Sequence, residues 1–319
     1  MGRTIQTRDG MALVRRDWPS ADARGTIVIV HGLGEHIGRY AHVAARLNAG
    51  RWSVVGYDQR GHGASPGERG RIAAGDDLLV DLAAVVDDAR AEASGPLVLL
   101  GHSLGGLVAA RFVAGALESP PPSWQRDVDA LVLSSPALSI GMTAAKRALL
   151  GALEAPRPLW QRDVDALVLS SPALDIGMTG AKRALLATLE TLTPNLGIGN
   201  GLDATGISRD PAVVAAYRAD PLVHDRIAPR LVRFLADAGP AVLALARADA
   251  SPLRRRRPPP AAARQRRLRR RGAEGGRHGA RIPAALPRDP QRAGARRGLV
   301  GARRLARYTG RFPPMRSPR

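Results

Sequence analysis

The chain has 319 residues, which is enough for one α/β domain of ordinary size with a surplus. It contains no cysteine, so disulfides, thiolate metal sites and a cysteine nucleophile are excluded. Its formal net charge of +20 would suit a nucleic-acid-binding protein, but the whole excess lies between Arg247 and Arg319, where 23 arginines accompany three acidic residues.

The N-terminal segment Met1–Gly10 is polar and has no apolar stretch of the length that a signal peptide requires. No run of about 18 apolar residues occurs anywhere in the sequence. We therefore expect a soluble, cytoplasmic protein.

Strands and helices are predicted to alternate in the first part of the chain. Thr26–Val30 is a short β-branched apolar run that suits a buried parallel strand, and Val54–Tyr57 is the next such run. Apolar residues recur at helical spacing from Asp77 to Ala93, and Leu97–Leu100 forms a third strand after a Gly-Pro break. This succession indicates an α/β protein with a mostly parallel sheet and covering helices.

An internal repeat follows these elements. Residues 115–150 and 151–186 align without gaps, and 31 of the 36 positions are identical. Solenoid repeats need three or more copies and diverge far more, so the pattern indicates a recent tandem duplication. Each copy offers one strand, Val128–Leu133 or Val164–Leu169, and one helix. Because the sheet should hold a single position for them, we expect one copy to be displaced.

Regular periodicity is lost towards the end of the chain. Between Thr191 and Asp225 the sequence is irregular but still contains an apolar helical fragment, Pro211–Tyr217. Residues 247–319 are rich in arginine, proline and alanine and cannot bury enough apolar surface to become ordered. We therefore assign an incomplete folded domain to residues 1–246 and expect disorder in residues 247–319.

The sequence Gly101-His-Ser-Leu-Gly105 has the pattern G-x-S-x-G of a nucleophile elbow. It follows a predicted strand and precedes Gly106–Val113, which is predicted to be a helix, and this is the context that the motif requires. Side chains at Gly101 and Gly105 would collide with neighbouring backbone, and the N-terminus of the helix points at a developing oxyanion. The bare pattern also arises by chance, but its context favours a nucleophile at Ser103.

A second glycine-rich turn, His31-Gly-Leu-Gly-Glu-His36, supplies the other half of an oxyanion hole. The flanking residues Gly32 and Gly34 allow the backbone N–H of Leu33 to face the nucleophile. The N–H of Leu104 lies opposite, so these two amides are the predicted oxyanion donors.

Other polar side chains in these turns are interpreted as structural. His31 precedes the serine in the chain, which argues against a role as its general base. Glu35 and His36 could bind a metal ion, but two neighbouring ligands make a weak case, and we predict no metal and no cofactor. Asp58 and His62 lie in a glycine-rich turn after the second strand and are expected to brace loops.

Four stretches of the sequence together resemble the bacterial monoacylglycerol lipase and lysophospholipase group of α/β-hydrolases. They are HGLGEHIGRY, YDQRGHGASPGERG, GHSLGG and RDPAVVAAYRADPLVHD, and the resemblance runs from about Met11 to Val242 apart from the extra repeat copy. It implies the α/β-hydrolase fold, with a mostly parallel sheet, covering helices and a helical cap at about residues 187–230. The disordered tail would replace the C-terminal part of that fold.

The same resemblance implies a reaction and a substrate class. A small lipid ester is the expected substrate, with transient contact to a membrane or micelle surface. Ser103 attacks the ester carbonyl, the amides of Leu33 and Leu104 hold the oxyanion, and water releases the fatty acid from the acyl-enzyme.

The acid and base of the expected order Ser, acid, His are not identifiable. After Ser103 only His224 and His278 remain. His224 matches a family stretch that precedes the acid-bearing strand, and His278 has no strand nearby to position it. No aspartate after Ala246 follows an apolar strand, so the chain carries the nucleophile without a recognisable general base.

Another reading frame of the tail explains this gap. Back-translated and read one base later, Arg247–Leu253 can encode VPTLLLY, Arg254–Pro258 can encode AGAD and Leu286–Arg296 can encode YHEILNEPER. These peptides resemble, in order, the acid-bearing and histidine-bearing segments of the family. We hypothesise that a frame switch between Ala241 and Ala248 replaced the last part of the fold.

Three functions remain open from the sequence. The first is a carboxylic ester hydrolase of the monoacylglycerol lipase or lysophospholipase type that acts through Ser103. The second is a catalytically impaired member of the same family, because loss of the base in a comparable serine protease costs on the order of 10⁶-fold. The third is a nucleic-acid-binding protein, but the tail lacks patterned aromatic residues, so we expect no specific nucleic-acid partner. The oligomeric state stays open.

Overall fold

A seven-stranded β-sheet forms the centre of the fold. The computed structural model describes residues 3–93, 95–135, 166–170 and 179–249. The strands are β1 (Arg3–Gln6), β2 (Ala12–Trp18), β3 (Thr26–Val30), β4 (Ser53–Tyr57), β5 (Leu97–His102), β6 (Ala130–Ser134) and β7 (Ala166–Ser170). Their order is β1-β2-β4-β3-β5-β6-β7; β1 and β2 pair antiparallel to their neighbours and all other pairs are parallel. The predicted mostly parallel α/β sheet is confirmed.

The central strands are buried because their sequences are apolar throughout. All five residues of β3 are buried. Val28 and Val30 belong to one apolar cluster, and Ile27 and Ile29 belong to another. Since successive side chains of a strand point to opposite faces, the sheet needs helical cover on both sides.

Helices supply that cover. They are α1 (Ala41–Ala49), α2 (Asp77–Glu92), α3 (Leu104–Ala114), α4 (Gly180–Leu192), α5 (Pro211–Ala219) and α6 (Pro229–Asp249). Helices α2, α3 and α6 contribute Leu82, Leu107 and Leu231 to the cluster that contains Val28. Helix α1 contributes Ala44 to the cluster on the other face. The sheet therefore lies between two helical layers.

Residues 193–228, called the cap below after the resemblance given above, connect α4 to α6 through short elements. Strands β8 (Ile198–Gly199) and β9 (Arg226–Ile227) pair antiparallel. Helix α5 contains the predicted fragment and begins at Pro211, after Asp210 accepts a hydrogen bond from the Ala212 N–H. The cap expected at about residues 187–230 stays a prediction; that range includes the end of α4 and the start of α6.

Both repeat copies contribute a strand to the sheet, so the expectation that one copy would be displaced is wrong. β6 and β7 have the same sequence, ALVLS, and pair in parallel with Ala130 opposite Ala166 and Ser134 opposite Ser170. β7 takes the end position of the sheet. The outer edge of β6 offers unpaired backbone N–H and C=O groups, and a second identical strand satisfies them position for position.

The last described helix crosses the predicted domain boundary at Ala246. α6 runs from Pro229 to Asp249. It continues past Ala246 because the alanine- and leucine-rich sequence there favours a helix. The disorder predicted for the tail falls, from residue 250 onward, outside the described residues. None of the described helices is long and apolar enough to cross a membrane.

Candidate active site

Ser103 stands on a sharp turn between β5 and α3. Its backbone has φ 50° and ψ −117°, a left-handed conformation that is rare for a residue with a side chain. The turn is held by the Ser103 N–H, which donates to the Ser134 carbonyl at 3.0 Å, and by the Leu107 N–H, which donates to the Ser103 carbonyl at 3.1 Å. The strain places a partly exposed hydroxyl at the carboxyl end of the sheet, as a nucleophile elbow requires.

Two glycines allow the turn to pack against its surroundings. A Cβ at Gly101 would lie 2.4 Å from the carbonyl oxygen of Gly105 and 2.7 Å from the Cα of Gly106. A Cβ at Gly105 would lie 2.1 Å from the carbonyl oxygen of Val30. These approaches involve backbone atoms, so only glycine fits at either position.

The loop predicted to form part of the oxyanion hole, residues 31–36 and called the oxyanion loop below, lies directly against the serine. A Cβ at Gly32 would be 3.3 Å from the Cβ of Ser103. Gly34 has φ +74°, a conformation that glycine adopts without strain. Leu33 lies between these glycines, and its amide makes no hydrogen bond to another described residue.

Leu104 carries the second predicted oxyanion donor, its backbone N–H, and directly follows Ser103. It is the first residue of α3, and the first N–H groups of a helix have no intrahelical partner. Its side chain is fully buried, which fixes the backbone at the helix N-terminus. The partial positive charge of that terminus favours an oxyanion beside Ser103.

His31, the first residue of the oxyanion loop, ties the loop to the neighbouring turn. Its Nε2 accepts a hydrogen bond from the Gln59 N–H at 2.9 Å, and its Nδ1 donates to the Gly32 carbonyl at 2.8 Å. Asp58 fixes two further turns, because its carboxylate accepts hydrogen bonds from the Ile37 and Ala64 amides, both at 2.8 Å. These contacts tie loops together, and the structural roles expected for both residues stay predictions.

Glu35 ties the two ends of the oxyanion loop together. Its Oε1 accepts hydrogen bonds from the Gly32 N–H and the Tyr40 hydroxyl, each at 2.7 Å, and its Oε2 pairs with Arg39 at 3.2 Å. Burial acts to raise the pKa of Glu35, but the nearby His31 and these hydrogen bonds outweigh it and lower the pKa below its ordinary value. The carboxylate therefore stays charged while it holds the loop.

The cap contacts the oxyanion loop through one side-chain hydrogen bond and one backbone hydrogen bond. His36 Nε2 lies 2.8 Å from Asp220 Oδ2, and the His224 N–H donates to the Gly34 carbonyl at 2.9 Å. The Arg39 guanidinium, just after the loop, lies 4.5 Å from the centre of the Tyr217 ring. Glu35 and His36, considered above as metal ligands, are thus engaged by the protein itself, and the described residues contain no group of three potential metal ligands.

Three histidine rings, one of them in the oxyanion loop, lie in tilted contact with one another. The ring centres of His31 and His62 are 5.4 Å apart, and those of His62 and His224 are 4.7 Å apart. Burial, together with the neighbouring histidines, lowers the pKa of His62 well below its ordinary value. Burial, together with the charge of Arg69, lowers the pKa of His224 from 6.5 to about 4. Burial therefore favours the neutral form of His62 and His224.

No histidine among the described residues is hydrogen-bonded to the Ser103 hydroxyl. His102, the sequence neighbour, places its Nδ1 3.2 Å from the Ser134 hydroxyl. His224 accepts the Arg226 N–H at Nδ1, and its buried Nε2 has no partner in the described chain. His278 lies outside the described residues. The structure therefore assembles the serine and the oxyanion loop, and it places no base beside them in the part of the chain that it describes.

Two contributors to the site were missed by sequence reasoning. Glu35 was considered only as a metal ligand, although a carboxylate three residues after Gly32 can reach back to that amide as in a capping box. Asp220 gave no local signal, because its partner, His36, is 184 positions away in the chain.

A model of a known protein family matches two long segments of the chain. The family model described as "Serine aminopeptidase, S33" matches residues 21–161 and 148–254. The two matched segments overlap within the duplicated part of the chain. Together they span more than half of the sequence.

Sequence relatives point to the same family, and a solved structure shares the fold. The chain is 33% identical over 247 residues to a monoacylglycerol lipase of Mycolicibacterium smegmatis, covering 76% of this chain and 73% of that protein. It is 38% identical over 103 residues to the monoglyceride lipase of Homo sapiens, covering 32% of this chain and 34% of that protein. A soluble variant of monoglyceride lipase from Saccharomyces cerevisiae shares the fold, with a TM-score of 0.52, 19% identity, and coverage of 75% and 69% of the two chains. The chain belongs to the serine aminopeptidase S33 family of α/β-hydrolases and is by family a serine enzyme that hydrolyses esters.

Proposed function

We propose that the chain hydrolyses lipid esters of the monoacylglycerol or lysophospholipid class through an acyl-enzyme on Ser103. The observation that carries this proposal is the strained conformation of Ser103, which faces Gly32 of the oxyanion loop at the N-terminus of α3. A positive φ at a serine is costly and persists where the surrounding structure requires it, most often at functional sites.

The reaction follows from the groups around the serine. The Ser103 oxygen attacks the ester carbonyl, and the negative charge on the carbonyl oxygen is stabilised by the amides of Leu33 and Leu104. The alcohol leaves with a proton and an acyl-enzyme remains. Water then attacks the acyl carbonyl, which releases the fatty acid and restores the hydroxyl.

The surface of the cap supports an apolar substrate that is presented in an aggregate. Several large apolar side chains are exposed on α4 and the cap, and a contiguous patch formed by them would mark an interaction site. They include Leu192, Leu196, Leu202, Ile207 and Val213. A membrane or micelle surface that holds the lipid would cover them during transient contact. The lipase names of the relatives support the same substrate class.

The free hydroxyl of Ser103 supports a second candidate, a catalytically impaired member of the family. Without a base, the oxyanion donors and binding alone leave roughly 10³- to 10⁴-fold acceleration over water. The two candidates share the nucleophile and differ in turnover.

Hydrolysis of p-nitrophenyl butyrate, followed in parallel for the wild type, Ser103→Ala and an intact relative, tests the proposal. We expect turnover that depends on Ser103. A rate within about tenfold of the relative would show that residues outside the described chain supply a base, whereas a rate several orders of magnitude lower would favour the impaired candidate. Turnover that is equal in the wild type and Ser103→Ala would overturn the proposed function.

A further inference from the structure

We propose that Asp220 is a positioning residue for the oxyanion loop and that it acts through His36. The inference rests on the proposed function, because it concerns the loop that carries the Leu33 amide. It adds that the direction of this amide is set by the cap as well as by the sheet.

The hydrogen bonds of His36 fix its tautomer and its orientation. Its Nδ1 accepts the Gly38 N–H at 3.2 Å, which caps the short helix Ile37–Tyr40. The proton of the neutral ring is therefore on Nε2, which donates to Asp220 Oδ2 at 2.8 Å. The side chains of His36 and Asp220 are only 11% and 23% exposed, so water competes weakly for this bond.

Asp220 is held in place by its own turn. Its Oδ1 accepts the Leu222 N–H at 2.9 Å, and its backbone carbonyl accepts the Val223 N–H at 3.1 Å. Each carboxylate oxygen thus has a separate donor, one from the cap and one from the oxyanion loop. Rotation of the carboxylate would break one of the two bonds, so a fixed turn of the cap holds His36.

A second contact from the same turn lies next to Leu33. The His224 N–H donates to the Gly34 carbonyl at 2.9 Å, and a Cβ at Gly34 would lie 2.3 Å from the His224 carbonyl oxygen. Residues 220–224 therefore hold the loop at Gly34 and at His36, on both sides of Glu35. Glu35 in turn holds the Gly32 amide at 2.7 Å. The peptide that carries the Leu33 N–H lies inside this frame, so a shift of residues 220–224 would turn it away from the serine.

Two variants break the His36–Asp220 bond, one from each side. One is isosteric with the residue it replaces, and the other keeps the N-cap hydrogen bond of the short helix Ile37–Tyr40. Asp220→Asn keeps an oxygen for the Leu222 N–H and places an amide N–H donor opposite the donating His36 Nε2. His36→Asn keeps a side-chain acceptor for the Gly38 N–H, since asparagine is a favoured N-cap residue, and is too short to reach Asp220. Asp210→Asn is the matched control, because Asp210 accepts a hydrogen bond within its own turn of the cap and Asn preserves it.

Hydrogen–deuterium exchange of the peptide that covers the oxyanion loop, with kcat and KM for p-nitrophenyl butyrate, tests the proposal. We expect Asp220→Asn and His36→Asn each to speed exchange about threefold or more and to lower kcat about tenfold. That loss is smaller than the roughly 100- to 1000-fold typical of deleting an oxyanion donor. KM should stay within about twofold, the double variant should be no worse than either single variant, and Asp210→Asn should match the wild type.

The outcomes separate this proposal from the proposed function. Unchanged loop exchange in Asp220→Asn overturns the positioning role, whatever the turnover. A rise in KM as large as the fall in kcat also overturns it, because it indicates a general structural defect. Additive effects in the double variant overturn it too, because they indicate that the two residues act independently. If the wild type lacks turnover that depends on Ser103, the proposed function fails, and the exchange comparison alone decides the positioning role.

Discussion

At the scale of single residues, the tightest constraint on the site falls on Gly105. A Cβ there would meet two backbone carbonyl oxygens, those of Val30 and His31, at 2.1 and 2.4 Å. Backbone of a central strand cannot move aside without disturbing the sheet. We therefore expect Gly105→Ala to lower the free energy of unfolding by about 2–4 kcal/mol, as measured by urea denaturation.

Gly75→Ala provides the comparison for this substitution. No atom lies within 4 Å of a Cβ placed at Gly75, so this variant should be as stable as the wild type within about 0.5 kcal/mol. Equal stability of Gly105→Ala and the wild type would show that the elbow does not pack against β3 as described.

His224 gives the molecule a pH dependence of known sign. Burial and the charge of Arg69 lower its pKa from 6.5 to about 4, so the unfolded state takes up a proton between these values and the folded state does not. The buried neutral His224 therefore costs no stability above pH 6.5, and the free energy of unfolding falls progressively as the pH drops from 6.5 towards 4. We expect His224→Gln to lose less of its thermal stability than the wild type between pH 7 and pH 4.5.

The exposed histidine of α1 serves as the control for this effect. His42 lies on the solvent side of α1, so His42→Gln should follow the wild-type curve. A wild-type melting temperature that is flat over this range, or that falls equally in His224→Gln, would contradict the buried neutral state of His224.

At the scale of elements, α6 contains a residue that a helix interior seldom tolerates. Pro240 lies inside the helix, where it donates no hydrogen bond and its ring crowds the preceding turn. Replacement by alanine removes that cost. We expect Pro240→Ala to raise the free energy of unfolding by about 1–3 kcal/mol in urea denaturation.

Pro229→Ala distinguishes this effect from a general effect of proline. Pro229 is the first residue of α6, where proline is favoured because the missing N–H has no helical acceptor. This variant should bring no gain in stability. A loss of stability in Pro240→Ala would indicate that Pro240 ends the helix instead of lying inside it.

The elements show how much of the fold the sequence predicted. The apolar runs of β3, β4 and β5 predicted the parallel core because these strands are buried on both faces. β1, the edge strand, and its antiparallel neighbour β2 were missed. They carry exposed charged residues such as Arg3 and Arg16, which obscure the alternation of apolar and polar residues. The place of β7 was predicted wrongly. The expectation assumed that the sheet has one position for the two repeat copies, and it did not consider that the outer edge of β6 can pair with a further strand.

The candidate site was predictable in part for a similar reason. Ser103, Leu33 and Leu104 could be proposed from the sequence because their motifs are local and each motif follows the end of a strand. The bond between His36 and Asp220 depends on how the cap folds back over the sheet, and no spacing in the sequence encodes it. Only the structure brings such distant positions together.

At the scale of the whole molecule, a neutral α/β domain is joined to a tail that carries the entire net charge of +20. The frame-switch hypothesis explains both the arginine content of the tail and the lack of an identifiable acid and base. It predicts that a chain with the frame restored after Ala241 turns over p-nitrophenyl butyrate at least about 1000-fold faster than the present chain. Equal turnover of the two chains, or a resequenced gene whose restored frame lacks the histidine segment, would contradict the hypothesis.

The central claim is that Ser103 is the nucleophile, and covalent labelling tests it most directly. The wild type and Ser103→Ala are treated with a fluorophosphonate, and the adduct is located by mass spectrometry of the digested protein. The account predicts a single adduct on the peptide that contains Ser103, formed slowly and absent from Ser103→Ala. An adduct on another residue, or equal labelling of both proteins, would contradict it.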